Sequence, residues 1–219
     1  MALFQGLLNR EARILEKVRR LAEAGYEALN VRSTARAGSA FARALNLLEA
    51  TGTPTRTEEW ADAYAYVGTG LLAVGRKESA LLAASHALTL NPSGIAGLAL
   101  QGDILVASTR ATDGLAYYDA ALRVDPKAKV VWEKKGDAHV ALAQQPEAIR
   151  AYVQAVNLDP DDVDGYARIL ALVPQDVDLW VRRGEAHRRR SEFDEAHDAY
   201  DRALRLDGSR KDALEGKAL

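Results

Sequence analysis

Gly68, Gly102 and Gly136 stand 34 residues apart, as do Ala87, Ala121 and Ala155, and Pro92, Pro126 and Pro160. One period shared by three residue types constrains the fold more than any other property of the chain. A fixed period of this length signals stacked copies of one supersecondary unit. A single copy cannot bury its own apolar face, so neighbours must stack, and stacking creates an extended surface. Function is expected on that surface rather than in a catalytic pocket.

Residues 129–162 serve as the type unit. Trp132, Gly136 and His139 occupy its positions 4, 8 and 11, and Ala148, Tyr152, Ala155 and Pro160 its positions 20, 24, 27 and 32. Apolar residues recur at three- and four-residue spacing in both halves, which predicts two amphipathic helices, A and B. Gln144-Gln145 reads as the turn. Pro146 suits the first turn of helix B, where a missing N–H costs nothing, and Pro160 ends that helix. Gly136 and Ala148 are expected to face each other where the two helices cross, with Trp132 and Tyr152 filling the wider gaps.

An aromatic, glycine four residues on, then Ala-x-x-x-aromatic and a closing proline resemble the tetratricopeptide repeat. The match recurs in 61–94 (Tyr64, Gly68, Ala80, Ala87, Pro92) and in 95–128 (Leu98, Gly102, Tyr118, Ala121, Pro126, with Gly114 in place of the usual Ala). It returns in 177–210, with Trp180, Gly184, Ala196, Tyr200 and Ala203, and Gly208 in place of Pro. The resemblance implies an all-α fold, a right-handed α-solenoid of helix-turn-helix repeats whose A helices line a concave groove. It implies protein–protein interaction as the function, and no enzyme activity.

Two departures shape the organisation. Gly136 and Gly184 are separated by the usual 34 residues plus 14. The phrase Pro160-x-Asp162-Val163-Asp164-x-Tyr166 recurs as Pro174-x-Asp176-Val177-Asp178-x-Trp180, which predicts one inserted helix at 163–173 within 163–176. Before residue 57 the period is lost. A degenerate repeat fits 18–51 on Leu21, Gly25, Ala28, Ala37, Phe41 and Ala44, preceded by an amphipathic helix over 3–24. Thr51-Gly-Thr-Pro-Thr-Arg-Thr57 reads as the boundary between an N-terminal helical cap (1–56) and a regular array (57–219). Residues 211–219 read as a partial or capping helix, and the ragged end suggests a fragment of a longer protein.

The other signals are negative. Net charge is −2, which makes nucleic acid an unfavoured partner, and there is no cysteine for disulfides or thiolate metal sites. No run of eighteen apolar residues exists to span a membrane. Without a leader-like N-terminus, the expected location is the cytoplasm. No nucleophile–base–orienter set is visible, and no cofactor or metal is implied. Gly70 to Lys77 lacks the Gly-Lys-Ser/Thr of a phosphate loop. The aspartates before Gly165 lack the first and last ligands of a calcium loop and read instead as helix N-terminal acids. Arg182, Arg183, Arg188, Arg189 and Arg190 read chiefly as a salt-bridged face.

The A-helix positions expected to face the groove include Asp62, Tyr66, Thr69, Leu100, Asp103, Glu133, Lys134, Asp137, Arg182, Glu185 and Arg189. The Lys and Asn that clamp chaperone tail carboxylates in some family members are absent, since Ala65/Thr69, Ala99/Asp103, Glu133/Asp137 and Val181/Glu185 stand there. The expected partner is a peptide or helix of another protein, with basic residues over Asp103, Glu133 and Asp137. Self-association into a homo-oligomer is an alternative. RNA or nucleotide binding through residues 182–190 ranks below it.

Overall fold

The computed structural model describes residues 2–51 and 54–218, with the backbone alone for residues 2–4. Among the described residues every regular element is an α-helix. The chain forms two compact units, Met1–Pro126 and Lys127–Leu219.

Unit 1 contains α1 (Ala2–Asn30), α2 (Thr34–Glu49), α3 (Thr57–Ala73), α4 (Lys77–Leu90), α5 (Ile95–Ala107) and α6 (Ala111–Val124). The helix expected at 3–24 and helix A of the degenerate repeat are one continuous element, α1. No proline interrupts residues 2–30, so nothing in that stretch removes a helical hydrogen bond. The pairs α1/α2, α3/α4 and α5/α6 are helical hairpins, and helices α1 to α5 share one core built on Phe41, Leu48, Trp60, Tyr64, Leu71 and Leu100. Residues Gly52 and Thr53 of the expected boundary loop lie outside the described residues.

Unit 2 contains α7 (Lys129–Ala141), α8 (Gln145–Leu158), α9 (Val163–Leu172), α10 (Val177–Arg189), α11 (Phe193–Leu206) and α12 (Lys211–Ala218). The inserted helix is α9. Its Val163, Tyr166 and Ile169 pack with Tyr152 and Val156 of α8 and Ala186 of α10. Helix α12 docks through the fully buried Ala213, and Gly216 lies against the Tyr200 ring. Leu219, the end of the expected capping helix, lies outside the described residues.

The repeat register is written into the backbone. Arg32, Gly75, Thr109, Ala143 and Ser191 all have φ between 56° and 78°, and each is position 15 of its repeat, counting 18–51 as one. At this left-handed residue a pair of hydrogen bonds closes the helix C-terminus: Thr109 N–H donates to Val106 O (3.1 Å) and Arg110 N–H to Leu105 O (2.8 Å). Four further A–B turns repeat the pattern, among them Arg32 N–H to Leu29 O (2.8 Å) and Ser33 N–H to Ala28 O (2.7 Å).

Position 8 and position 24 meet. A Cβ on Gly25, Gly102 or Gly184 would lie 2.5–2.6 Å from the ring of Phe41, Tyr118 or Tyr200, sixteen residues on, and Gly136 meets Tyr152 in the same way. The nearest side chain opposite Gly136 is therefore the aromatic ring, not Ala148. Repeat 61–94 has Ala84 where the others have that aromatic, and Leu100 of the next repeat fills the space, 2.5 Å from a Cβ built on Gly68.

Glu11, only 2% exposed, ties α1 to the segment before α3. Its carboxylate accepts from Thr55 N–H (2.9 Å) and Thr55 Oγ1 (2.7 Å). Burial alone would raise this carboxyl, but the Thr55 bonds together with the Arg56 backbone and charge outweigh it and leave it below its ordinary value. A depressed carboxyl contributes stability above its unfolded pKa and loses it as pH falls through the folded value. Glu11→Ala is expected to destabilise unit 1 by about 1–2 kcal/mol near neutral pH. The deficit relative to wild type should shrink below about pH 4.5, which urea titrations at several pH values would measure.

Candidate functional site

In unit 1, α3 carries Asp62, Tyr66 and Thr69 on one side. Asp62 and Tyr66 line a cleft of about 470 Å³ against α1, with Leu15, Arg19 and Glu23 opposite. Tyr66 is 44% exposed, and its ring lies 4.9 Å from that of Tyr26. The Tyr26 hydroxyl donates to Tyr66 O (3.0 Å), and burial followed by the nearby Tyr66 pushes that hydroxyl up to about 12. Burial, then the neighbouring Glu58, raises the Asp62 carboxyl. Arg19 pairs with Glu23 at 2.9 Å, and Glu59 pairs with Arg56 at 3.0 Å. Thr69 is exposed and its hydroxyl donates to Ala65 O (2.9 Å).

Two other expected surface residues of unit 1 are committed elsewhere. Leu100 is 1% exposed and belongs to the core, because it occupies the space left by Ala84. Asp103 accepts from the Tyr118 hydroxyl at 2.7 Å.

In unit 2, Asp137 accepts from the Tyr152 hydroxyl (2.6 Å) and pairs with Arg168 of α9 (2.6 Å). Arg168 also stands 5.9 Å from the centre of the Tyr152 ring. Burial and the Asp137 contact push the Tyr152 hydroxyl up to about 12. Glu133, half-buried and raised by burial, lies 3.5 Å from Lys129. Lys134 is half-buried. The expected acidic set is thus divided, with Asp103 in unit 1 and Glu133 and Asp137 in unit 2, and each bonded within its own repeats.

The aspartates around 159–164 are held by cations and caps. Lys129 reaches Asp159 (2.8 Å) and Asp162 (2.9 Å), and Asp162 also accepts from Gly165 N–H (3.0 Å) to cap α9. Asp161 pairs with Arg189, which also donates to Pro160 O (2.8 Å). Within the arginine run, Arg189 and Arg190 are ion-paired. Arg190 pairs with Glu192 at 2.9 Å, and Arg183 lies 5.7 Å from the centre of the Trp180 ring. Arg182 is exposed and Glu185 half-buried. His139 and His187 are buried and bond across the A–B turn to Gln144 (2.7 Å) and Glu192 (2.8 Å).

The acid–tyrosine bond between positions 9 and 24 escapes a reading of single motifs. Its signal is the shared fifteen-residue spacing of Asp103/Tyr118 and Asp137/Tyr152.

Residues 99–163 and, separately, 177–209 match family models described as the tetratricopeptide repeat. These stretches are tetratricopeptide repeats. The fold of the chain is also that of solved tetratricopeptide structures. A thermophilic tetratricopeptide protein of Thermus thermophilus is 17% identical, with a TM-score of 0.54 over 92% of this chain and 97% of that one. PilF of Pseudomonas aeruginosa is 14% identical, with a TM-score of 0.54 over 93% and 97%. Yeast Tom70 is 19% identical, with a TM-score of 0.56 over 92% of this chain and 48% of that one. No curated protein matches the sequence. The tetratricopeptide fold supports a protein-interaction role in general. No helix among the described residues is long and apolar enough to cross a membrane.

Proposed function

We propose that this protein is a protein–protein interaction adaptor that receives a peptide or helix of its partner on its A-helix faces. The observation that carries the reading is the α1–α3 cleft, where exposed Tyr66 and Asp62 stand together. A large aromatic side chain held in place by Tyr26 is suited to anchor a partner's apolar residue. Asp62 beside it favours a lysine or arginine on the partner, with charge setting orientation and on-rate more than affinity. Glu133, Lys134, Asp137, Arg182, Glu185 and Arg189 supply a mixed-charge A-helix face in unit 2, to which the same mode of binding is extended. Since Asp103 and Asp137 bond their own repeats' tyrosines, reversing their charge would disturb folding as well as binding, and Asp62 and Tyr66 make the cleaner test.

Affinity capture from source-cell lysate with mass spectrometry would compare wild type with Asp62→Lys and Tyr66→Ala. The partner recovered by wild type is expected to bind at least about tenfold more weakly to Tyr66→Ala. Asp62→Lys is expected to slow association and to reduce its salt dependence. Equal recovery by all three proteins would refute the cleft as the binding site.

A further inference from the structure

A second cleft, about 540 Å³, opens between α1 and α2. Its floor is apolar, formed by Leu21, Leu47 and Ala50, and its rim is basic, formed by Lys17, Arg20 and Arg43. Arg20 pairs with Glu16 at 2.8 Å, whereas Lys17 and Arg43 form no ion pair among the described residues. The rim continues along α1, where Arg10, Arg13, Lys17 and Arg20 are all exposed. They follow one another at three- and four-residue spacing, so they lie on one helix face.

The repeat register shows what such a cleft is shaped to hold. Leu21 and Arg43 are positions 4 and 26 of the first repeat. The same positions in the next repeat are Tyr64 and His86, whose rings stack at 4.9 Å. There the face is covered. Tyr64 is 6% exposed and shares a core with Leu48 of α2. Burial, then the nearby Glu49 of α2, raises its hydroxyl. One repeat along, then, the equivalent surface receives a helix that brings a carboxylate. In the first repeat no described element covers it, and its three cations call for acidic residues on whatever does.

We propose that the α1–α2 cleft docks an amphipathic helix of a partner protein, one whose leucine-type stripe seats on Leu21 and Leu47 and whose flanking acidic residues meet Lys17, Arg20 and Arg43. The site is separate from the α1–α3 cleft, so the protein has two binding surfaces of opposite preference, one for basic segments and one for acidic helices. Apolar burial supplies the affinity, and the charges select the partner.

The test uses the full chain and three fluorescent synthetic helices of about 18 residues: leucine stripe with glutamate flanks, leucine stripe with lysine flanks, and serine stripe with glutamate flanks. Fluorescence anisotropy is expected to show binding of the first peptide and at least about tenfold weaker binding of the other two. Lys17→Glu combined with Arg43→Glu should weaken the first peptide by about the same factor, with the circular dichroism spectrum and thermal midpoint kept. Arg43→Lys should largely restore binding when Lys17 is intact. Asp62→Lys should leave this peptide unaffected, which separates failure here from failure of the α1–α3 cleft.

Three results would overturn the proposal. The first is absence of binding, or binding indifferent to the double variant. The second is equal binding of the serine-stripe peptide and a generic oligonucleotide, which would make the cleft a general anion surface. The third is a mass that rises with concentration, is lost in the double variant and is suppressed by the first peptide, which would give the cleft to a second copy of this chain.

Discussion

Phe41→Ala is expected to remove about 3–5 kcal/mol from the stability of unit 1, the cost of truncating a fully buried aromatic ring. Phe41 has no exposed surface and joins three helices of one core. Its ring is clasped by glycines of two different helices, Gly25 of α1 and Gly70 of α3, and meets Tyr26 edge-on at 5.0 Å and 74°. Those backbones have no side chains that could move into the void, so relaxation will be poor and the loss should fall toward the upper end of the range. The converse change fails for the converse reason. A Cβ at residue 25 would sit 2.6 Å from the ring, and Gly25→Ala should cost about 1–3 kcal/mol through overpacking. Hydrogen exchange resolved by peptide is the appropriate measurement, because global unfolding of a two-unit chain need not be a single transition. Protection should fall across α1 to α4. A change below about 1 kcal/mol would show that Phe41 is not a keystone of this core.

Lys129→Met is the second large effect, expected at about 2–3 kcal/mol for unit 2. This is below the cost of opening a fully buried ion pair, because the Lys129 side chain keeps 28% of its exposure and Asp159 45%. Its ammonium lies within 3.5 Å of Glu133, Asp159 and Asp162. Removing it leaves three carboxylates facing one another, with Asp162 only 12% exposed. Burial works against the Lys129 charge, and the bonds to Asp159 and Asp162 outweigh it, so its pKa is raised. The Lys129 bond depresses Asp159. Burial works against the charge on Asp162, and the Gly165 and Lys129 bonds depress it. Depressed carboxyls contribute stability above their unfolded value and lose it as pH falls through the folded one. In the variant those carboxyls repel instead, and protonation relieves them. The gap between wild type and variant should therefore be widest near neutrality and narrow below about pH 4. A gap independent of pH would mean that the lysine acts by packing alone.

Much of the architecture can be read from residue identities because the repeat is enforced by sterics. Glycine at position 8 is required where a ring from position 24 presses on the backbone, as at Gly25, Gly102, Gly136 and Gly184. Helix α9 is visible because its opening phrase is duplicated before α10. Other features leave no such mark. Four of the five left-handed turn residues are Arg32, Thr109, Ala143 and Ser191 rather than glycine, so the turn is imposed by the packing of the two helices and not by the residue. Exposure at the A-helix positions depends on the neighbouring repeat. Leu100 is expected on the surface from its register, and it is buried because Ala84 is small. Asp103 and Asp137 look available as acids among the facing positions, whereas each accepts from a tyrosine fifteen residues on.

The inserted helix also changes the parity of the chain. In an unbroken array A and B helices alternate. A duplicated repeat adds two helices and leaves the sense of all later elements unchanged. Helix α9 is one helix, so an A-type helix opening at Val163 is followed directly by another opening at Val177. Helix α10 carries the A-helix pattern of α7, three connections along the chain instead of two. A register counted in steps of 34 through residues 61–162 cannot be extended past α9 by the same count.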